Sequence, residues 1–154
     1  DIARRVARPP VWVTGMGSAS DRHAFASRTP GRLEACEAAA AMALRKAGWQ
    51  AAKADIAEVS ASSAASELMV LEALGLAKQG QAISLLDNAS TAINRSGGAL
   101  PADPIMATGL VRLAEAARQL SYPAEYGLSA VTSAIVHGAG GVGMQSHCVF
   151  TLEV

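Results

Sequence analysis

The stretch from Ala130 to Gly143, AVTSAIVHGAGGVG, constrains the fold more than any other part of the chain. Its continuous run of small and β-branched apolar residues is typical of a strand that is covered on both faces. The strand is predicted to stop at His137, where a glycine loop begins whose backbone can approach a ligand or another backbone closely. A second apolar run, Cys148 to Leu152, predicts a partner strand. On this stretch alone, a hairpin with a surface histidine and a site with a reactive imidazole are equally open.

Composition narrows the class of protein further. The 154 residues suffice for one domain, and 51% of them are hydrophobic while 4% are aromatic. Alanine makes up much of the difference, and its small side chain predicts tightly packed layers. Thirteen basic and thirteen acidic residues cancel, so the net charge gives no indication of a nucleic-acid or membrane partner. No apolar run reaches the roughly 18 residues of a membrane span, and no signal sequence opens the chain, so we expect a cytoplasmic protein.

The two cysteines predict neither a disulfide nor a metal site. Cys36 and Cys148 are too few and too far apart for a disulfide framework, and nothing near them has the spacing of metal ligands. They are therefore expected to be small core residues in a reducing compartment.

Residues 1–9 are predicted to be a lead-in to a single domain. Arg4, Arg5 and Arg8 form a basic cluster there, which we interpret as solvated and not as a binding arm. Because the chain begins with Asp1 and not with methionine, we expect a processed product or a piece of something longer.

Strand and helix patterns alternate along the chain. The predicted elements are a strand at 11–14 closed by Gly15-Met16-Gly17, a helix from Thr29-Pro30 to Gly48, a strand at 55–59, a helix capped by Ser60, Ser62 or Ser63 and ended by Gly80, a strand at 91–94, a helix from Asp103-Pro104 to Leu120, and the two terminal strands. This β-α-β-α-β-α-β-β order predicts an α/β fold with a mixed, largely parallel sheet and helices on both faces. The last two strands are predicted to be antiparallel because their connection is too short for a crossover.

Four motifs, in this order, resemble the C-terminal half of the thiolase superfamily, in particular its sterol-carrier-type and lipid-transfer-protein-like members. They are AEVSASSAASELMVLEALGL at 57–76, INRSGG at 93–98, DPIMATGL at 103–110 and HGAGGVG at 137–143. The family blocks read roughly AEVHDCFSIAELLALEDLGL, NxSGG, GHPxGATGL and CxGGGxG. Since these blocks span nearly the whole chain, the resemblance implies that residues 1–154 form a single thiolase C-terminal-like domain.

The chain departs from the family at the reactive positions. Ser60 stands where the family has asparagine or histidine, Asp103 replaces the histidine of GHP, and His137 replaces the cysteine of the last motif. The family's nucleophilic cysteine belongs to an N-terminal half that lies outside this sequence. The resemblance implies that Ser60, Asp103 and His137 converge on the thioester of an acyl-CoA and form a proton-transfer unit in one pocket. Such a unit suits aldol-type chemistry better than acyl transfer, because no thiolate is present to carry the acyl group.

The glycine loops are the candidates for contact with the coenzyme A part of this substrate, and no bound cofactor is expected. The residues concerned are Gly97, Gly140 and Gly141. Each candidate site residue also has a structural alternative. Asp103 can serve as a helix N-cap alone, Ser60 can satisfy loop backbone donors, Gly97 can serve tight packing, and His137 can be a histidine satisfied within the core.

Two function classes remain open. In the first, the chain is half of a thiolase-like enzyme that cleaves or forms a carbon–carbon bond, or transfers an acyl group, next to a thioester. In the second, it is a non-catalytic packing subunit or assembly module that retains the fold. The third long helix is apolar around most of its first half, so it needs cover from more than one side. Both classes therefore predict association, with a second copy or with a thiolase N-terminal half, since an uncovered helix exposes an apolar patch above a few hundred Å².

Overall fold

The computed structural model describes residue 5, residues 9–88 and residues 90–154. Of the predicted lead-in, Arg5 and Pro9 are described and exposed, whereas Arg4 and Arg8 lie outside the described residues. Among the helices within these ranges, none has the length and hydropathy to cross a membrane.

The predicted alternation of strands and helices is confirmed. The strands are β1 (Trp12–Ser20), β2 (Ile56–Val59), β3 (Ala92–Ile93), β4 (Ser133–Gly140) and β5 (Ser146–Glu153). The helices are α1 (Glu34–Ala47), α2 (Ala64–Ala73), the short α3 (Leu85–Asn88) and α4 (Thr108–Ser121). Short 3₁₀ turns lie at Phe25–Ser27, Ala51–Lys53, Ala82–Ser84 and Pro123–Tyr126. The connection at 81–90, which the sequence left unspecified, contains one of these turns and α3.

Within the described residues the strands form one mixed sheet in the order β1-β5-β4-β2-β3. Strand β2 pairs in parallel with β3 and with the central strand β4. Strand β5 pairs antiparallel with β4, which confirms the prediction for the terminal pair. Strand β1 also pairs antiparallel with β5, so the sheet has fewer parallel pairs than the helical connections alone predicted.

Helices cover both faces of the sheet, as predicted. Because successive side chains of a strand point to opposite faces, Ala57 and Ile135 pack against α1 and α2. Their neighbours Ile56 and Val136 pack against α4 on the other face. This alternation decides which candidate site residues can meet, since the two faces are separated by the sheet.

Helix α1 lies directly on β1 because two glycines leave room for it. A Cβ atom on Gly15 would lie 2.1 Å from the carbonyl oxygen of Ala43, and one on Gly17 would lie 2.0 Å from that of Ala39. The prediction that these glycines close the strand was therefore wrong, and β1 continues to Ser20. The glycines serve close packing against an alanine-rich helix.

Two predicted helix ends are confirmed. Gly48 has a left-handed backbone, with φ of +77°, and its N–H donates to the carbonyl of Leu44 at the end of α1. Ser63 caps α2, and its hydroxyl and that of Ser66 form a reciprocal capping box. Helix α2 ends at Ala73 and not at Gly80, since Gly75 already turns the chain with φ of +82°.

The two predicted threonine or aspartate helix starts were wrong by about one turn. The Thr29 hydroxyl donates to the Glu34 carboxylate, 2.7 Å away, while α1 begins only at Glu34. Asp103 lies before a turn in which the Ala107 N–H donates to the Pro104 carbonyl, and α4 begins at Thr108. A proline that follows a capping side chain favours a helix start locally. In this chain both pairs of residues instead belong to backbone turns that precede the helices.

Candidate functional site

A cavity of about 560 Å³ opens beyond the carboxyl ends of β2 and β4. It is lined by Ser60, Ser62, Asp103, Ile105, Met106, Thr108, Gly109, Ala139, Gly140, Gly141, Gly143 and Met144. These residues come from the end of β2, the start of α4 and the turn between β4 and β5. Open α/β sheets bind their ligands in this position, so the topology itself makes the cavity the candidate site.

Ser60 and Asp103 both line this cavity, as the sequence predicted. Ser60 directly follows β2, and its N–H donates to the carbonyl of His137 over 3.1 Å. Asp103 is exposed, and its carboxylate accepts a hydrogen bond from the Thr108 hydroxyl at the start of α4. Thr108 therefore orients a carboxylate that the solvent reaches. The cavity lining contains this carboxylate and the hydroxyls of Ser60, Ser62 and Thr108, which could exchange protons with a substrate.

The glycine turn after β4 gives the cavity a wall with few side chains. Gly141 has a φ of +76°, a conformation that residues with a Cβ rarely adopt, and it lies beside Gly140 on the cavity lining. Gly97 is placed elsewhere, in the turn after β3, where its N–H donates to the carbonyl of Asn94 over 2.9 Å. Its φ of +99° gives Gly97 a sufficient structural role, and Gly97 does not line the candidate cavity.

A close backbone contact fixes α4 beside the cavity. A Cβ atom on Gly109 would lie 3.3 Å from the Cα of Gly138, so the helix and β4 touch through two glycines. The glycines of the ATGL and HGAGG motifs thus set the distance between α4 and the strand that ends in the glycine turn.

His137 does not reach this cavity. Strand β4 continues past His137 to Gly140, and alternation turns the His137 ring toward α1, on the face that Ile135 also occupies. The ring is fully buried, and its Nε2 atom lies 2.9 Å from Nδ1 of His147. Burial, with a smaller contribution from His147, lowers the pKa of His137 to about 3, so the ring is neutral at physiological pH. The prediction that Ser60, Asp103 and His137 share one pocket thus holds for the first two residues and was wrong for His137.

The His137 ring instead belongs to a buried cluster with His147 and Cys36. One potential ligand atom from each of the three side chains lies within 4.8 Å of the others, and all three residues are buried. Burial, with a smaller effect of Glu37, raises the pKa of the Cys36 thiol to about 12, which keeps the thiol protonated at neutral pH in the absence of a metal. Burial also lowers the pKa of His147, although the Met144 carbonyl and Asp21 oppose this effect.

Sequence analysis missed this cluster because its members are far apart in sequence. Cys36 lies on α1, His137 on β4 and His147 on β5. The strand register offered a signal: His137 pairs with Val149, so His147 is its diagonal neighbour on the same face. Only the position of α1 over that face brings Cys36 to the two rings.

A second buried polar group is centred on Glu58. The carboxylate of Glu58, on β2, is fully buried and accepts hydrogen bonds from Arg112 over 2.9 Å and from Gln119 over 2.6 Å. The Ser96 N–H and hydroxyl donate to the same carboxylate over 3.1 and 2.6 Å. This Glu58 network ties β2, α4 and the turn after β3 together. A glutamate inside an apolar strand run was the available signal, which the sequence analysis did not use.

The cavity is bordered by an exposed apolar surface. We name it the apolar rim and define it as Ile105, Met106 and Leu110, residues that are 83%, 97% and 70% exposed. Met106 lines both the candidate cavity and a neighbouring groove that also contains Leu110. Large apolar side chains this exposed, grouped at a candidate site, are typical of a surface that another protein segment covers.

Comparison with known proteins agrees with the fold. The profile of the family described as thiolase C-terminal domain-like matches residues 17–153. No curated protein matches the chain. A solved structure titled Ltp2-ChsH2(DUF35) aldolase is similar over 98% of this chain and 41% of its own, with 17% identity and a TM-score of 0.80. A monomeric SCP2-thiolase-like protein, type 1, from Mycobacterium smegmatis is similar over 99% of this chain and 32% of its own, with 18% identity and a TM-score of 0.70.

The chain thus spans about two fifths and one third of these two related chains. At these identities the two structures establish the fold, whereas the family profile covers the chain from within β1 to the end of β5. The chain therefore belongs to the thiolase C-terminal domain-like family.

Proposed function

We propose that this chain is one half of a thiolase-like enzyme that forms or breaks a carbon–carbon bond next to the thioester of an acyl-CoA. The observation that carries the proposal is the cavity, which combines a hydroxyl, a carboxylate and a glycine turn beyond the ends of two parallel strands. The titles of the related structures name an aldolase and an SCP2-thiolase-like protein, and both kinds of chemistry are compatible with such a cavity.

Asp103 is proposed as the acid–base group. In the cleavage direction its carboxylate takes the proton from a β-hydroxyl group of the acyl chain, and the bond between the α and β carbons breaks. The β carbon becomes a carbonyl carbon, and the electron pair of the broken bond remains on the thioester as an enolate. The Asp103 carboxylic acid then returns the proton to the α carbon, so the products are a carbonyl compound and a shortened acyl-CoA.

Ser60 and the glycine turn are proposed to hold the thioester. The Ser60 hydroxyl can donate a hydrogen bond to the enolate oxygen, where negative charge develops during the reaction. The turn at Gly140 and Gly141 presents backbone without bulky side chains, so a thioester can approach it closely. No cysteine is among the described lining residues, which favours this chemistry over transfer of the acyl group to a thiol of this chain.

A second domain is proposed to cover the apolar rim and to complete the cavity. The rim lies at the cavity mouth, and the chain accounts for less than half of each related structure. The covering domain is a thiolase N-terminal half, in the same polypeptide or separately encoded. A second copy of this chain is the competing occupant, and light scattering of the purified chain with and without the N-terminal half distinguishes the two.

The test is turnover of 3-hydroxyacyl-CoA substrates of graded chain length by the complete complex, followed as release of the carbonyl product. Asp103→Asn is expected to lower kcat by about 10²–10⁴, because it removes the acid–base group. Asp87→Asn is the matched control, since Asp87 is an exposed carboxylate on α3, away from the cavity lining. Unchanged turnover in Asp103→Asn would refute the proposed role of this residue.

The burial of His137 favours a second candidate function, a non-catalytic assembly module. Here the rim binds a partner, and the cavity retains the fold of an enzyme without its complete set of reactive groups. Association with the N-terminal half, combined with no cleavage of any 3-hydroxyacyl-CoA tested, would support this candidate over the first.

A further inference from the structure

Cys36, His137 and His147 lie on α1, β4 and β5, and the fold brings their side chains together between α1 and the sheet. They lie on the face opposite α4, so they are separate from the cavity that contains Ser60 and Asp103. One potential ligand atom from each of the three side chains lies within 4.8 Å of the other two. None of these side chains is used in the proposed reaction.

Hydrogen bonding within the chain leaves this cluster incomplete. Each neutral imidazole has one N–H and one lone pair, and the two rings share one hydrogen bond, of 2.9 Å. Among the described residues, Nδ1 of His137 and Nε2 of His147 have no hydrogen-bond partner. Whichever ring donates the shared proton, one buried N–H and one buried lone pair are left over. These outer nitrogens are distinct from the inner pair, Nε2 of His137 and Nδ1 of His147, and the Met144 carbonyl, which raises the pKa of His147, is the nearby acceptor for that ring.

The donor atoms indicate which group this is. A thiol sulfur and imidazole nitrogens are the ligands of zinc and other borderline or soft metals, whereas calcium and magnesium require oxygen ligands. Zn–N and Zn–S lengths of about 2.0–2.3 Å at tetrahedral angles place ligand atoms about 3.3–3.6 Å apart. The closest pair, Nε2 of His137 and Nδ1 of His147 at 2.9 Å, shares a hydrogen bond that the ion would replace, with its proton moved to the other nitrogen of the same ring. Since one potential ligand atom from each of the three side chains lies within 4.8 Å of the others, small side-chain movements suffice to reach that range.

We propose that Cys36, His137 and His147 bind one zinc ion. The ion displaces the thiol proton on binding and joins α1 to the two terminal strands, so its effect is on stability. The Ser60 N–H donates a hydrogen bond to the His137 carbonyl. The ion would therefore also stabilise the end of β4, which lines the cavity at Ala139 and Gly140. The sequence analysis predicted no metal site, because it considered spacing along the chain and not the packing of α1 on the strands.

The test is zinc binding by the chelator-treated full chain in equilibrium dialysis, read by elemental analysis. One equivalent of Zn²⁺ per chain is expected, with a rise in Tm on its addition. Cys36→Ser and His147→Asn are expected to weaken binding at least 100-fold. The chain offers matched controls in Cys148→Ser and His23→Asn, which change the other cysteine and the exposed histidine and should leave binding unchanged.

Cobalt provides a readout on the unmodified chain, which does not depend on whether the variants fold. Co²⁺ bound to the unmodified chain is expected to give a thiolate-to-cobalt charge-transfer absorption, which Zn²⁺ then removes by displacement. Absence of stoichiometric Zn²⁺ and of this absorption would overturn the proposal. Zinc binding that persists at full affinity in Cys36→Ser would overturn it as well, since binding would then lie elsewhere.

Discussion

Arg112→Met tests whether the Glu58 network holds the cavity together. Neither side chain is open to water, since the side chains of Glu58 and Arg112 are 0% and 5% exposed. Without Arg112 the carboxylate retains hydrogen bonds from Ser96 and Gln119 but loses its opposite charge. Breaking a buried ion pair by removing one partner costs about 3–5 kcal/mol, because a buried charge is left uncompensated. For a chain of this length that corresponds to a fall in Tm of about 6–20 °C.

The assay is urea unfolding followed by circular dichroism, with Arg118→Met as the matched control. Arg118 also pairs with a glutamate on α4, Glu115, but its side chain is 58% exposed, so its loss should cost less than about 1 kcal/mol. Replacing both members of the buried pair by methionine should cost less than the sum of the two single replacements, because no unpaired charge remains. Equal destabilisation by Arg112→Met and Arg118→Met would refute the reasoning.

Three further changes test the fold. Gly17→Ala should destabilise the chain by at least about 1–3 kcal/mol, since its Cβ would lie 2.0 Å from the Ala39 carbonyl oxygen; an unchanged urea midpoint would contradict this. Ser63→Ala should cost about 1 kcal/mol through loss of the α2 cap, whereas Ser62→Ala, which removes no cap, should cost less in the same unfolding measurement. Asp55→Ala should remove a contribution to stability that depends on pH. Burial raises the pKa of Asp55, but hydrogen bonds from Thr132 and Ser133, at the start of β4, outweigh this effect and hold the pKa below its usual value. The stability that Asp55 adds is therefore fully present above the pKa of Asp55 in the unfolded state and is lost as the pH falls through its pKa in the folded state. The difference in free energy of unfolding between wild type and Asp55→Ala should therefore disappear in acid. A difference that does not change with pH would contradict this reasoning.

The fold was largely predictable because it depends on local patterns. The apolar run before His137 gave β4, the helical spacing before Gly48 gave α1, and the short connection gave the antiparallel pair. The errors fell where tertiary packing overrides a local preference. Gly15 and Gly17 resemble a turn in sequence, yet they are the points at which α1 approaches β1. Asp103 and Pro104 resemble a helix start, yet they belong to the turn that precedes it.

The candidate site was predictable only in part. Ser60 and Asp103 follow a strand and precede a helix at the same end of the sheet, so topology alone brings them to one cavity. The sequence predicted that β4 stops at His137, which would leave the ring at the mouth of a loop. Because β4 continues to Gly140, alternation along the strand points the His137 ring to the face covered by α1. The cluster with Cys36 depended on the position of α1, which no sequence spacing records.

Hydrogen–deuterium exchange of the complete complex, with and without an acyl-CoA such as acetyl-CoA, tests the central claim most directly. If the cavity receives the thioester, backbone amides at 103–109 and 139–143 should exchange more slowly when the ligand is present. Amides of α3, at 85–88, should not change, since that helix does not line the cavity. Unchanged exchange at both cavity segments under saturating ligand, or protection confined to other parts of the chain, would contradict the account.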